Sequence, residues 1–419
     1  MDNAKIKNEI SAAFGIFYLI KDIFSGKKKF RDLFSKGPMD ITFFALVITL
    51  LTIGIIMMFS ASYVNAWYDA DAENDPYFYV KKQALYAVFG LALMLLVSRI
   101  NTNVFRESST LIFLFSFFLL VYVLLNPAVI PGKEEFKRWI SVPLFGTFQP
   151  SEIAKLAIIM ILAFGMERYH KTVEKTAWSM VPCIALIGLV CVLVYKENHV
   201  SGTLLILGIG VATMYFGGVK IPWYFYAGIG VIVLVAGIWF VLNADKFLEG
   251  YASERIRIWL KLLTGEELTS EEASGSGWQS LQSLYAIGSG GLFGLGFGNS
   301  KQKHMYIPEP QNDFVFAVVC EELGFARAIL IILLFILLVG RGFVIGLRAR
   351  SRYEAMLAMG ISFQVGLQAA LNIAVVTSTV PNTGISLPFF SYGGTSLVML
   401  LIEMGMVLAV SRNSERKNG

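Results

Sequence analysis

Residues 308–340 read PEPQNDFVFAVVCEELGFARAILIILLFILLVG. From Asp313 to Gly340 this run is long enough to cross a bilayer as a helix, because about 20 apolar residues span the hydrocarbon. Its charges, Asp313, Glu321, Glu322 and Arg327, all lie at or before residue 327, and residues 328–340 carry none. Ionisable side chains at membrane depth are costly and usually face a cavity or a partner. The stretch therefore predicts a spanning helix whose polar end does chemistry or holds other polar groups.

The same apolar pattern recurs along the chain, at 41–61, 81–98, 109–126, 150–167, 178–195, 201–217, 223–243, 313–340, 355–376 and 393–411. Composition agrees. Of 419 residues 56% are hydrophobic and 16% charged, with a mean hydropathy of +0.63, whereas soluble domains average about 45–50% apolar and about 25% charged. Disorder, a disulfide scaffold and a collagen-like fibre are excluded. The expected fold is an all-α polytopic membrane protein of about ten transmembrane helices. Eight Lys/Arg residues lie within the first 38 positions, and the distribution of basic residues among the short loops places both termini in the cytosol. The acidic run Asp69, Asp71, Glu73 and Asp75 then falls in an outer loop. The organisation expected is a basic tail at 1–39 lying near anionic lipid, a membrane domain at 40–411 and a short cytosolic tail at 412–419.

Between the seventh and eighth spans lies an outer loop, 244–312. Loops of that length are usually functional or disordered. Its charged part, 264–276, is expected to be mobile, and its glycine-rich and aromatic part, 277–306, to fold back on the membrane face. Within it, residues 288–298 (GSGGLFGLGFG) hold six glycines, without the strand or the GK[ST] that nucleotide-binding loops require. A flexible re-entrant turn and a cradle of backbone amides for an anionic or sugar ligand both remain open. Cys183, Cys191 and Cys320 lie in apolar runs without CxxC spacing, and His170, His199 and His304 are too scattered for a metal cluster.

Glu152 and Lys155 share one face of the fourth span, as a self-satisfied ion pair or as ligand contacts. Glu309 and Asp313 flank the entry to the eighth span, and Arg327 is expected to neutralise Glu321 and Glu322 in part. An acid at the lip of a span, such as Asp313, is a candidate general base. Residues 381–396 (PNTGISLPFFSYGGTS) interrupt an apolar stretch with two prolines, three glycines and several hydroxyls. Broken backbone at membrane depth is tolerated where it is buried in protein or lines a wet cavity. A cavity is thus expected near the outer leaflet, walled by this segment, 127–155 and 277–313.

Taken together, RWI at 138–140, QPSEIAK at 149–155, GWQSLQSLYAIGSGGLFGLGFGNSKQK at 277–303, PEPQNDFVFAVVCEELGF at 308–325 and TGISLPFFSYGGTS at 383–396 resemble the SEDS family (RodA/FtsW/SpoVE), and its FtsW/SpoVE branch more than RodA. The resemblance implies a peptidoglycan glycosyltransferase that polymerises lipid II on the outer face of the bacterial cytoplasmic membrane, in cell division or sporulation. It implies a class B penicillin-binding protein as cognate partner, among other divisome or sporulation cell-wall proteins, and no nucleic acid. In the family the aspartate of the (H/Q)(T/N)DF motif is catalytic, which here is Asp313. Substrate contacts implied by the matched motifs are Arg138, Trp139, Glu152, Lys155, Trp278, Gln279, Gln282, Ser283, Lys303, Glu309, Ser391, Tyr392 and Ser396.

Asp313 would deprotonate a GlcNAc 4-hydroxyl for an inverting attack on the anomeric carbon of a second MurNAc. Arg138, Lys155 and Arg255 or Arg257 would neutralise the departing pyrophosphate, with Mg²⁺ or Mn²⁺ as candidate metals. Trp139 and Trp278 would stack on sugar or isoprenoid, or belong to an interfacial aromatic belt. Thr147 stands where many relatives carry arginine. Residues 196–203 (KENHVSGT) replace the QPDLGT frequent in relatives and receive no catalytic weight, and Ala326-Arg327 replaces a small glycine after EELGF. Ten spans with membrane carboxylates also fit a lipid II flippase, and a non-catalytic scaffold recruiting a transpeptidase is a third reading.

Overall fold

The computed structural model describes residues 33–414 apart from 36, 70, 71, 73, 128–137, 143–145, 171–179, 221–250, 265, 267, 268, 270, 271, 273, 274 and 276. Its helices are α1 (Ile41–Tyr68), α2 (Phe78–Val97), α3 (Thr102–Leu125), α4 (Pro150–Arg168), α5 (Val181–Lys196), α6 (Val200–Phe216), α7 (Tyr251–Thr264), α8 (Trp278–Gly290), α9 (Val315–Leu347), α10 (Arg352–Val376) and α11 (Gly394–Asn413). Between α3 and α4, strands β1 (Ile140–Val142) and β2 (Gly146–Phe148) form an antiparallel hairpin with Ile140 opposite Phe148.

Among the described residues, helices occupy every expected span except 223–243, which lies outside them. Six of them, α1, α2, α3, α9, α10 and α11, are long and apolar enough to cross a membrane. The apolar helices α5 and α6 are shorter, at 16 and 17 residues. α4 interrupts its apolar sequence with Glu152, Lys155, Glu167 and Arg168. α10 and α4 are central: α10 packs on α9, α6 and α4, while α4 also contacts α3 and α6. α11 packs mainly along α2.

The ends of the described chain meet at one end of the bundle. Asp40 caps α1 by accepting from the amide of Phe43 (2.9 Å). Its carboxylate also receives Arg341 from α9 through Nε at 3.0 Å and Nη2 at 2.7 Å, and its own amide donates to Ser411 Oγ of α11 (3.0 Å). Arg412 Nη1 donates to the Gly37 carbonyl nearby (2.7 Å). A two-toothed guanidinium–carboxylate contact fixes orientation as well as distance, so α1, α9 and α11 are locked in register there.

The long loop 244–312 contains two helices where the sequence suggested irregular chain. α7 turns Ile258, Trp259 and Leu262 towards Ser280, Ser378, Val380 and Asn382, and Trp259 Nε1 donates to the Ser378 carbonyl (3.1 Å). α8 packs against α9. The glycine run that follows is neither a free turn nor an open cradle, because it docks on a break in α9. Gly324 takes φ +76° inside the helix, and a Cβ there would lie 2.2 Å from the Gly294 nitrogen. Reciprocally, a Cβ on Gly294 (φ +80°) would lie 2.2 Å from the Glu322 carbonyl. The break frees carbonyls that the loop satisfies: the Leu295 and Gly296 amides donate to Glu321 O (2.9 Å) and Glu322 O (3.0 Å). Backbone meets backbone here, so no side chain fits.

Gly324→Ala is expected to prevent accumulation of folded protein, since positive φ and a backbone clash coincide. Gly291→Ala, at φ +53° and ψ −149° with open space around it, is expected to cost about 1–3 kcal/mol from backbone strain alone. The yield of folded protein recovered from membranes for each variant, with thermal unfolding of purified Gly291→Ala, checks the ranking.

Candidate functional site

Three side-chain amides on α10, Gln364, Gln368 and Asn372, recur every four residues and so form one column. All three are buried, where an unpaired amide would be costly. Their partners define the site. Gln364 Nε2 donates to Glu403 Oε2 of α11 (2.8 Å). Gln368 Oε1 accepts from Lys155 Nζ (3.1 Å), and its Nε2 donates to Ser386 O and Oγ (3.1 Å each). Asn372 Nδ2 donates to the carbonyls of Asp313 (2.8 Å) and Ile385 (2.6 Å). Neither this column nor Glu403 was picked out from sequence; the four-residue spacing of amides within the apolar run 355–376 was the available signal.

Asp313 is half-buried just before α9. Gly384 adopts φ +67°, and a Cβ there would lie 3.1 Å from Asp313 Oδ2, so glycine lets the broken segment close against the carboxylate. That segment also ties down the residues preceding the aspartate, since the Tyr392 amide donates to Gln311 O (2.8 Å). Its other side, Ser386 to Gly393, walls a cavity with Glu152, Lys155, Gln364, Gln368, Ser396 and Glu403. Lys155 Nζ contacts Glu152 Oε2 at 3.0 Å, as the three-residue spacing predicted. The structure thus gathers Glu152, Lys155, Ser391, Tyr392 and Ser396 around one cavity, and one segment joins them to Asp313. Tyr392 also meets the Tyr79 ring edge-on at 4.9 Å.

At the start of α4 lies a second polar group. Arg138 stacks 5.1 Å over the Trp139 ring, ahead of the hairpin. Glu197, in the α5–α6 turn, is fully buried, and among the described residues neither carboxylate oxygen has a hydrogen-bond partner. Burial pushes its carboxyl up to about 8, although the Arg138 charge pulls it back in part. Beside it, His199 Nδ1 faces Gln149 Nε2 at 3.4 Å. Burial, reinforced by the charges of Arg138 and Lys155, lowers this imidazole to about 3 and keeps it neutral. The KENHVSGT turn, given no weight from sequence, is therefore electrostatically linked to Arg138 and Lys155.

Several expected contacts lie elsewhere. Lys303 is buried, with Nζ 2.8 Å from Glu322 Oε1 and bonded to Ser60 Oγ (3.1 Å) and Gly298 O (2.7 Å). It is the lysine that neutralises Glu322. Arg327, expected in that role, instead donates through Nη1 to Phe293 O and Leu323 O. Gln282 and Ser283 are buried in α8, with Ser283 Oγ bonded to Val376 O (2.7 Å). Gln279 accepts from Asn382 Nδ2 (3.1 Å), and Trp278 Nε1 donates to Tyr306 O (2.6 Å). Glu309 is exposed and accepts from Asn312 Nδ2 (2.8 Å). The exposed Arg257 faces Glu272 at 3.9 Å, and the side chain of Arg255 is outside the described residues. Among the described residues no three His, Cys, Asp or Glu side chains converge as a metal cage. Mg²⁺ commonly binds through one or two carboxylates plus substrate phosphates.

A family profile described as "Cell cycle protein", covering FtsW, RodA and SpoVE, matches residues 40–416. The chain is 38% identical over 379 residues to Stage V sporulation protein E of Bacillus subtilis (strain 168), covering 90% of this chain and 98% of that protein. It is 36% identical to the Probable peptidoglycan glycosyltransferase FtsW of Coxiella burnetii (strain RSA 493 / Nine Mile phase I), covering 88% of this chain and 95% of that one. Among solved structures it is similar to a chain from "Structural coordination of polymerization and crosslinking by a peptidoglycan synthase complex", with TM-score 0.69, 26% identity, and coverage of 89% of this chain and 98% of that one. Rod shape determining protein RodA of Thermus thermophilus shares the fold, with TM-score 0.61, 23% identity, and coverage of 90% of this chain and 98% of that one.

The raised Glu197 carboxyl gives a signed expectation. Its folded pKa lies above the ordinary value of 4.5, so its stabilising contribution is complete below that value and is lost as pH rises through about 8. His199 acts oppositely, losing stability as pH falls below about 6.5 towards 3. Of these two groups only the carboxyl acts above pH 6.5. Wild-type Tm in lipid nanodiscs is expected to fall between pH 6.5 and 8.5, and Glu197→Gln makes that slope shallower.

Proposed function

The chain belongs to the FtsW/RodA/SpoVE family of cell cycle proteins, and from that premise we propose that it is a peptidoglycan glycosyltransferase polymerising lipid II. The observation that carries this reading is the half-buried Asp313 carboxylate closed against Gly384, on the segment that also walls the Lys155 cavity. Asp313 acts as general base on the GlcNAc 4-hydroxyl of one chain end. The freed oxygen attacks the anomeric carbon of a MurNAc, the C–O bond to undecaprenyl pyrophosphate breaks, and configuration inverts. One base and a stabilised leaving group suffice for such a displacement.

Negative charge grows on the departing pyrophosphate, and fixed cations there lower the barrier. Lys155 is already held by Glu152 and Gln368, so little reorganisation is needed. Arg138, braced on Trp139, is the second cation. Mg²⁺ or Mn²⁺ would arrive with the pyrophosphate and add to that charge. Ser391, Tyr392 and Ser396 line the cavity as hydroxyl contacts for substrate. Trp278 and Gln279, which open α8, and Glu309, ahead of α9, contribute to the rim, whereas Lys303, Gln282 and Ser283 hold the fold.

The protein lies in the bacterial cytoplasmic membrane with ten spans, both tails (1–39 and 412–419) in the cytosol and Asp313 on the outer face. A class B penicillin-binding protein cross-links the product. Purified protein supplied with lipid II, with and without that partner, tests the reading. Asp313→Asn is expected to reduce glycan polymer by roughly a hundredfold to ten-thousandfold while lipid II binding persists. Wild-type polymerisation by that variant excludes the mechanism, and lipid II crossing the bilayer without polymer identifies a flippase instead.

A further inference from the structure

Arg327 presents an exposed guanidinium on a helix apolar enough to cross a membrane. Among the described residues only its Nη1 is committed, to the carbonyls of Phe293 (3.0 Å) and Leu323 (3.3 Å). The Nε and Nη2 hydrogens of this five-donor group remain available. No carboxylate among the described residues pairs with it, because Glu321 and Glu322 are occupied by Ser300, Ser60 and Lys303. The exposed side chains nearest it are apolar: Phe293, whose carbonyl it bonds, is 69% exposed, Leu330, one turn along the same face, is 59% exposed, and Leu292 precedes Phe293 in the chain.

Depth decides what can reach it. Arg341 pairs with the Asp40 cap where α1 begins, which marks one boundary of the hydrocarbon if α1 and α9 span the bilayer. Arg327 lies fourteen residues earlier in α9, about 21 Å along the axis at 1.5 Å per residue. In a hydrocarbon layer of about 30 Å, that leaves about 9 Å to the opposite headgroup plane. Helical Cβ atoms tilt towards the N-terminus, here towards that nearer plane, and arginine snorkels over such distances. An acid from a partner helix would itself have to be buried in hydrocarbon, at a cost the guanidinium must offset. A lipid phosphate already stands at the interface.

We propose that Arg327 and the apolar surface of Leu292, Phe293 and Leu330 form a docking site for an anionic phospholipid of the outer leaflet. Its phosphate meets the guanidinium, and its acyl chain lies over the exposed apolar side chains. The site rests on reading α1 and α9 as bilayer-spanning and is independent of the transferase reading, so failure of the polymerisation assay leaves it standing.

Full-length protein in nanodiscs of phosphatidylcholine with or without phosphatidylglycerol is compared by native mass spectrometry for retained phosphatidylglycerol. Wild type is expected to retain it preferentially. Arg327→Gln should weaken that preference roughly fivefold, the size expected for one basic residue at an anionic surface, and Arg327→Lys should restore part of it. Phe293→Ala, which leaves the backbone carbonyl in place, should shorten retention. Equal retention by wild type and Arg327→Gln, with both variants matching wild-type Tm in phosphatidylcholine, overturns the proposal. So does displacement of phosphatidylglycerol by excess inorganic phosphate, which would reduce the site to a plain anion contact. Cross-linking of residue 327 to a membrane helix of another protein with lipid retention unchanged would do the same.

Discussion

Glu321 and Glu322 lie side by side in α9 with no solvent exposure, and carboxylates in that position require donors. Glu322 takes them from Ser60 on α1 (2.7 Å), from Lys303 and from the Ser300 amide (3.3 Å). Glu321 takes the Ser300 hydroxyl and the amides of Lys301 (2.9 Å) and Gln302. Backbone amides can serve only if the chain runs within contact distance, so the loop after α8 must lie against the break at Gly324. The interlocked Gly294 and Gly324 make that approach sterically possible. With residues 291–303 moored on α9, the chain ahead of Asp313 is held in turn by Asn372, which bonds the Asp313 carbonyl, and by the Tyr392 amide, which bonds Gln311 O. The position of the proposed base depends on both sets of contacts.

α10 holds the opposite wall by the same rule. Its amide column satisfies the Asp313 and Ile385 carbonyls near one end, Lys155 and Ser386 one turn further along, and Glu403 one turn beyond that. Each amide joins an element that would otherwise carry an unpaired polar group into the bundle. The broken segment 381–393 has few internal hydrogen bonds of its own. It is held by Asn372 and Gln368, and by Gln83 from α2, whose Nε2 donates to Ser391 O (3.2 Å). Rigidity at the cavity comes from side-chain amides rather than from regular secondary structure.

Some of this was legible in the residues. Apolar runs of about 20 located helices because bilayer thickness sets their length, and the Glu152–Lys155 pair followed from helical spacing alone. Asp313 stood out as an acid at the lip of a span, and the Pro/Gly interruption at 381–396 marked a cavity wall. Lys303, Gln282 and Ser283 are buried, which the motif could not signal, because a polar side chain in a motif looks the same whether it faces a ligand or a buried neighbour. Arg327 misled through proximity, since closeness in sequence to Glu321 and Glu322 says nothing about which cation reaches them. Lys303 does so only because the loop folds back.

Local chemistry along the chain was enough to say that helices cross an apolar phase, that their polar residues cluster towards one set of ends, and which acid was the best candidate base. Periodicity and hydropathy depend on neighbours a few positions apart, so they survive without any knowledge of the fold. Contacts between residues hundreds of positions apart do not: Ser60 with Glu322, Gln83 with Ser391, and Asp40 with Arg341. Whether an ionisable group is neutralised, buried without a hydrogen-bond partner among the described residues like Glu197 or turned outward like Arg327 depends on what packs opposite it. That choice is made by three-dimensional packing, because electrostatic and hydrogen-bond energies depend on distance in space, not on separation along the chain.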